Sequence, residues 1–517
     1  METYDLIVVG SGAASIVVDA ALRRGLRIAF IERAAFGGTC LNRGCIPTKI
    51  LATAATAAQR SRDAERLSLK GEPAQMDWTG LKSRLTGYVE ALRHDFVRHY
   101  QEHGVTLLHG EAVFVAEKTL RVHCCDSSIN SEGAERILCG ETIILATGAE
   151  TRVPEAFIDL DYLNSERFFG GAYPGRPAAS IAIVGGGSIG CEYAHIYAAA
   201  GTKVTLIQHN VRLLPKADAE ISEQLLRNFQ ARGMRVLLNQ DIRTCVQEKT
   251  GFALRLQNRA SGETTELRTD GIFLASGVRP CTDGLGLEKA GVLLDPRGFI
   301  RVNECMETSV PGIYALGDVT GPPMLRHKAN YEAEILAENL YGIAPDGGEL
   351  PNGRIWRRAF YGATPQVTYS EPEVAQLGLS EAEALERGYA IRLGRRRYSE
   401  QAKGYAMGYR KGDVDDGLVK VVTEAGSGRI LGVHIIGAEA SLLMQGYAYL
   451  MNASPHEIPV RDPELGASAA CAAARTAKPE LPVAASIQNI LTSMTAHPAL
   501  SETAAWVFQN MSGVEEA

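Results

Sequence analysis

The same short pattern occurs twice in this chain, and few folds can accommodate it. Near the start, the apolar run Tyr4-Asp5-Leu6-Ile7-Val8-Val9 ends in Gly10-Ser11-Gly12-Ala13-Ala14-Ser15. Further on, Ser180-Ile181-Ala182-Ile183-Val184 ends in Gly185-Gly186-Gly187-Ser188-Ile189-Gly190. A short apolar run closed by glycines reads as a buried strand turning into a helix. The first glycine permits the tight turn, and the second lets a pyrophosphate approach the helix N-terminus. The third small residue allows the helix to pack closely. The second copy is a complete GxGxxG, whereas the first departs from it with Ser15, which is still small. Each copy runs on into another strand: Ile28-Ala29-Phe30-Ile31, ending in Glu32, and Lys203-Val204-Thr205-Leu206-Ile207, ending in Gln208. Two βαβ units of the dinucleotide-binding type, and hence an α/β fold, are expected.

The two strand ends differ in chemistry. Glu32 stands where an acid would bind a ribose hydroxyl. An acid at Gln208 would bind the 2′-hydroxyl of NAD and repel the 2′-phosphate of NADP, and glutamine does neither strongly. His209 and Arg212 are nearby but fall short of an arginine cluster, so the sequence leaves the choice between NAD and NADP open. Each unit closes alike, with Ile143-Ile144-Leu145-Ala146-Thr147-Gly148 and Ile272-Phe273-Leu274-Ala275-Ser276-Gly277. Buried strands ending in small residues are expected where a chain passes under a cofactor. The repetition favours two working half-sites and two dinucleotides.

With 517 residues, more than one domain is expected. A net charge of −7 gives no reason to expect a nucleic-acid partner, and the basic run Arg395-Arg396-Arg397 reads as a solvated face. No apolar stretch approaches the ~20 residues of a membrane helix. The opening METYDLIVVG places acids, not positive charge, before a short apolar run, unlike a secretory signal. A cytoplasmic location is expected. Ten cysteines in a chain of this length are too sparse for a disulfide scaffold. Cys124 and Cys125, adjacent on a strand, should point to opposite faces.

Cys40 and Cys45 stand out within GGTCLNRGCIPTK. They could be a redox pair, part of a metal site, or unrelated thiols. A structural zinc site needs four Cys or His ligands, and no second pair lies at a suitable spacing. A bond between the two requires Cα atoms about 4.4–6.8 Å apart. In a regular helix residues so spaced rise about 7.5 Å along the axis, so the bond needs a distorted turn, which Gly44 can supply. Pro47 fits an early helical position, and a thiolate near a helix N-terminus is stabilised by the dipole. The neighbouring Arg43 could lower a thiol pKa or point to solvent.

This cysteine motif, the doubled glycine motif and Tyr314-Ala315-Leu316-Gly317-Asp318-Val319 together resemble the pyridine nucleotide–disulfide oxidoreductase family, along nearly the whole chain. The resemblance implies FAD in the first unit, NAD(P) in the second and a Cys40–Cys45 redox disulfide. By it, Cys40 is the interchange thiol, Cys45 lies near the flavin, and Lys49 sits beside the reactive ring with Glu192 as partner. Glu32 would hold the adenosine ribose and Asp318 the ribityl region. Further FAD positions are Gly10, Gly12, Ala13, Ala14, Gly38, Thr39, Thr147, Gly148 and Gly317. For NAD(P) they are Gly185, Gly187, Gly190, Gln208, His209, Arg212, Gly277 and Arg279. No metal is expected. The implied domains are FAD-binding over 1–155 and 281–350, NAD(P)-binding over 156–280, and a dimerisation domain over 351–517.

The last domain is similar to the family's in its strands around Ala363–Val367 and Gly417–Gly437, and in a helix over Leu442–Met451. His497-Pro498, with Glu502 five residues after the histidine, matches the family's general base and its orienting acid. The family sets this histidine against the partner subunit's cysteines, implying a homodimer whose monomer is inactive. A stretch near 459–485, holding Cys471, is an insertion, expected as a loop with a short helix near Arg475. It is read as a surface insertion, or as a lid or docking element. The ending Ile46-Pro47-Thr48-Lys49 looks most like that of dihydrolipoamide dehydrogenases and is shared by mycothione reductases. The expected substrate is therefore a lipoyl group on a carrier protein. The alternatives are a mycothione- or glutathione-type disulfide reductase or a mercuric-reductase-like enzyme.

Overall fold

The computed structural model describes residues 1–125, 133–344, 348–350, 352–353, 355–452, 458–477 and 493–499. The first unit opens with β1 (Glu2–Val9), α1 (Ser15–Arg23) and β2 (Ile28–Glu32). Next come α2 (Gly38–Asn42), α3 (Cys45–Arg62) and α4 (Trp78–Glu102). β3 (Thr106–Ala116), β4 (Thr119–Cys124) and β5 (Glu135–Leu145) complete it. β1 pairs in parallel with β2 and β5, and β2 with β3. β3 and β5 extend beyond the parallel region and both pair antiparallel with β4. Leu6 to Val9 are all buried because both faces of the sheet are covered. Alternation along β1 sends Leu6 and Val8 into a core with Val17 and Phe30, and Ile7 and Val9 into another with Phe114 and Ile143. Each such side chain contributes about 1.5–3 kcal/mol by burial. β4 ends on buried Cys124, while Cys125 is exposed, as the alternation requires.

From β6 (Ala149–Thr151) the chain passes through α5 (Ser165–Phe169) into the second unit. This comprises β7 (Ser180–Val184), α6 (Ser188–Ala199), β8 (Lys203–Ile207), α7 (Ala219–Ala231) and β9 (Arg235–Leu237). An antiparallel meander follows: β10 (Gln240–Gln247), β11 (Phe252–Asn258) and β12 (Thr264–Thr269). β13 (Gly271–Leu274) then returns beside β7, giving the parallel order β13-β7-β8-β9. β14 (Val278–Pro280) pairs antiparallel with β6, so the chain leaves and re-enters the first unit through one two-stranded ribbon. After α8 (Leu287–Ala290), β15 (Ile313–Ala315) joins the first sheet beside β5, and α9 (Arg326–Tyr341) packs on α1.

The C-terminal part is a five-stranded antiparallel sheet. Its strands are β16 (Gln366–Thr368), β17 (Val374–Gly378), β18 (Ile391–Arg397), β19 (Leu418–Glu424) and β20 (Ile430–Ile436), in the order β16-β17-β20-β19-β18. α10 (Glu381–Glu386) and α11 (Ala402–Ala406) lie in its connections, and α12 (Ala440–Asn452) packs against it. The fold is thus two Rossmann-like units plus an α+β domain. The arginine run is not simply a solvated face. Arg395 pairs with Glu220 at 2.8 Å and Arg397 donates to Gln224 Oε1 at 2.7 Å, tying β18 to α7. α13 (Ala469–Thr476) falls in the expected insertion and contains Arg475. Among the described residues no helix is long and apolar enough to cross a membrane.

Candidate active site

The cysteine loop is fastened to the first glycine turn. Gly38 has φ of +69°, and a Cβ there would lie 2.7 Å from Gly12 Cα. Ser11 Oγ accepts from Gly37 N at 2.9 Å and donates to Glu32 Oε2 at 2.7 Å. Cys40 lies inside α2 and Cys45 is the first residue of α3, with Gly44 between the helices at φ −130° and ψ −113°. Gly44 therefore serves by close approach, since a Cβ would sit 3.0 Å from Thr39 O, rather than by a left-handed φ.

Both cysteines are thiols. Their sulfurs and a ring nitrogen of His497 all lie within 4.8 Å of one another. Cys40 Sγ and His497 Nε2, 457 residues apart in sequence, are separated by 3.1 Å. The fold thus assembles two sulfurs and one imidazole nitrogen, a donor set that cysteine spacing alone did not disclose. The Cys45 thiol is not lowered by its helix position. The hydrogen bond with Cys40 and burial hold it well above the ordinary thiol range, with His497 acting in the opposite direction. Burial pushes the Cys281 thiol up to about 11, against the lowering effect of the Arg43 charge.

Within the chain, His497 lies against Cys40 and Cys45. The reason lies in its anchorage. Ala496 is fully buried in the core formed by α12 and the C-terminal sheet, and its N–H donates to Gln445 Oε1 at 3.1 Å. Met494 packs into the core beneath the first unit. Glu502 lies outside the described residues.

Lys49 and Glu192 come together from the two glycine units. Lys49 Nζ donates to Glu192 Oε2 at 2.7 Å and sits 4.5 Å over the Tyr369 ring. Glu192 Oε1 accepts from Tyr369 N at 3.0 Å, so β16 and the segment after it orient the pair. Nothing in the local sequence marks Tyr369 for this contact.

The glycine turns fit dinucleotides. A Cβ on Gly12 would meet nothing nearer than 3.8 Å, and one on Gly187 nothing within 4 Å, so space for a phosphate flanks both backbones. Ala13 and Ala14 are buried behind the first turn. Glu32 accepts from Ser11 N, Ser11 Oγ and Ala34 N, which leaves lone-pair capacity for a hydroxyl. The carboxyl of Asp318, in the short turn Gly317–Thr320 after β15, has no hydrogen-bond partner among the described residues, and burial raises its pKa. Such a carboxyl suits a polyhydroxyl ligand. Thr147 Oγ1 donates to Cys281 O at 2.8 Å, and Gly148 O accepts from Cys281 N at 3.0 Å.

In the second unit Gly185 takes φ +111°, and Gly190 packs against Gly185 so tightly that a Cβ would collide with its carbonyl. Gln208 turns inward: Oε1 accepts from Gly186 N and Nε2 donates to Arg212 O, both at 3.1 Å. His209 is paired with Asp241 at 2.8 Å. Arg279, beside Gly277, pairs with Glu150 across the β6–β14 ribbon at 2.6 Å and with Asp283. Cys471 sits apart from the site. It is buried against Cys305, whose thiol it pushes up by hydrogen bonding, with burial adding to the effect.

Comparison with known proteins shows the family. Residues 4–333 match the family described as pyridine nucleotide-disulphide oxidoreductase, and 364–456 match that family's dimerisation domain. A dihydrolipoyl dehydrogenase of Thermus scotoductus is 35% identical over 448 residues, 86% of this chain and 90% of that protein. A mycothione reductase of Mycobacterium tuberculosis is 31% identical, over 86% of this chain and 92% of that one. Among solved structures, the HOCl-induced flavoprotein disulfide reductase RclA from Escherichia coli superposes with a TM-score of 0.71 at 24% identity. That match covers 87% of this chain and 93% of that one.

Proposed function

The chain belongs to the pyridine nucleotide-disulphide oxidoreductase family and is a flavin disulfide oxidoreductase working with FAD and NAD(P), and we propose that it oxidises a dihydrolipoyl group on a carrier protein. The observation that carries this reading is the Cys40–Cys45–His497 cluster beside a glycine turn. His497 Nε2 takes a proton from one substrate thiol. The thiolate attacks Cys40 in the oxidised pair, forming a mixed disulfide while Cys45 leaves as thiolate. The second substrate thiol releases its proton to solvent, and its sulfur displaces Cys40. The substrate disulfide forms, the Cys40–Cys45 bond has broken, and two electrons rest on the pair. Protonated His497 returns its proton to the Cys40 sulfur. FAD, held at Glu32 and Asp318, would supply two-electron transfer between the dithiol and NAD(P)+. Lys49, fixed by Glu192, places a cation where the flavin ring is expected, and Glu32 and Asp318 offer acceptors to its hydroxyl groups.

The matched dimerisation domain supports a homodimer. A second reading, reduction of a low-molecular-weight disulfide, draws on the mycothione reductase relatives. Purified protein assayed with lipoamide, mycothione and glutathione disulfides, each with NADH and NADPH, separates the two. Turnover greatest with lipoamide is expected. Greatest turnover with mycothione favours the second reading, and none with any of the three overturns both.

A further inference from the structure

The described part of the insertion is tied down at several points. Ile458 O accepts from Arg358 Nη2 at 2.6 Å. Asp462 pairs with Arg301 through two contacts of 2.7 and 2.8 Å, and Arg475 pairs with buried Glu304 at 2.6 Å. Arg461 reaches deepest. Its Nη1 donates to Glu332 Oε1 at 3.0 Å and to Tyr361 OH at 2.8 Å. Its Nη2 donates to both Thr320 O and Thr320 Oγ1 at 3.0 Å.

Those acceptors belong to the support of the Asp318 turn. Glu332 is fully buried, and its Oε2 accepts from Gly317 N at 2.7 Å and pairs with Lys328 at 3.0 Å. Lys328 Nζ donates to Gly317 O at 2.8 Å and Thr320 Oγ1 at 2.9 Å. One residue of the insertion therefore grips the far end of the turn directly and its near end through Glu332. A guanidinium suits this task because its planar fork spans two acceptors at once.

We propose that Arg461 is a positioning residue that presents the Asp318 carboxyl to the flavin's hydroxyl chain, so that the insertion forms part of the FAD site. The proposal rests on the reading of the first glycine unit as the FAD site. Arg461 touches no reacting atom. It acts through Thr320 and Glu332, and its loss leaves Thr320 O without this donor and Glu332 Oε1 with Tyr361 OH alone.

The test uses the full-length holoenzyme. FAD dissociation is followed by recovery of flavin fluorescence on dilution, and the bound flavin by visible circular dichroism at saturating FAD. Arg461→Gln is expected to weaken FAD at least tenfold and to alter the visible dichroism. Arg475→Gln, which loosens the same segment at Glu304, should leave both within about twofold. Arg461→Lys keeps the charge but loses the fork and should fall between, and it stands in if the glutamine variant fails to fold. Wild-type behaviour in Arg461→Gln, or equal losses in the two glutamine variants, would overturn the proposal. Wild-type protein that takes up no FAD would instead overturn the reading beneath it.

Discussion

Glu32 and Gln208 do the same work in the two glycine units. Glu32 Oε2 accepts from Ser11 N at 3.0 Å, and Gln208 Oε1 accepts from Gly186 N at 3.1 Å. Each end-of-strand side chain fastens the second residue of its turn. They differ in charge and in the Gln208 Nε2 donation to Arg212 O, and charge decides how a ribose 2′-phosphate is received. Gln208→Glu should keep the acceptor for Gly186 N, lose the donation to Arg212 O and add a repulsion, lowering kcat/KM for NADPH by at least about tenfold, or ~1.4 kcal/mol. The same measurement with NADH should change less. Equal losses with both nucleotides would show that the variant merely disrupts the turn.

The cysteine pair and His497 share one chain, and subunit mixing tests this. Cys45→Ser and His497→Gln chains, each inactive alone, are allowed to exchange subunits. A site completed within each chain predicts that mixed dimers stay inactive. A site completed across the dimer would restore about a quarter of wild-type turnover, since half of the dimers would hold one intact site of two.

The two classes of cysteine should separate cleanly. Cys45→Ser removes the leaving thiolate and should abolish disulfide exchange with every disulfide tested. Cys471→Ala removes the buried contact with Cys305, away from the Cys40–Cys45–His497 cluster, so turnover should hold within about twofold while stability falls by roughly 1–2 kcal/mol. A large loss of turnover in Cys471→Ala would make it a redox participant.

His195, buried in α6 with Nε2 3.1 Å from Thr56 Oγ1, carries a pH signature. Burial, reinforced by the Arg232 charge, lowers its pKa to about 3 from an ordinary 6.5. The unfolded chain therefore takes up the proton first as pH falls. The contribution to stability is complete above pH 6.5 and lost progressively toward pH 3, on the order of 3 kcal/mol by pH 4. Thermal melts from pH 8 to 4 should show this slope in the wild type and a shallower one in His195→Gln. Identical slopes would mean that His195 does not govern acid sensitivity.

The parts of this molecule legible in sequence are those whose physics is local. Gly10 and Gly185 announce tight turns, the runs at Leu6–Val9 and Ile181–Val184 announce buried strands, and Cys40 and Cys45 sit within a few residues of their partners' scaffold. The Lys49–Glu192 contact came from family resemblance, since no periodicity joins positions 143 residues apart. What was missed is long-range. Arg461 gives no local sign that it will reach Thr320. Ala496 and Met494 look like ordinary small or apolar residues, yet their burial anchors the segment that carries His497. Gln208 looked like a failed ribose ligand because nothing in its neighbourhood shows that its amide closes the Gly186 turn.

The contact between Gly38 and Gly12 has a bearing on how the protein matures. The loop that carries the thiols packs directly on the turn that takes the phosphates, because a Cβ at Gly38 would lie only 2.7 Å from Gly12 Cα. A chain with an unformed nucleotide pocket therefore has no correctly presented dithiol. Reactivity toward foreign disulfides arrives together with the means of disposing of the electrons, and a half-made protein is kept from indiscriminate exchange with its surroundings.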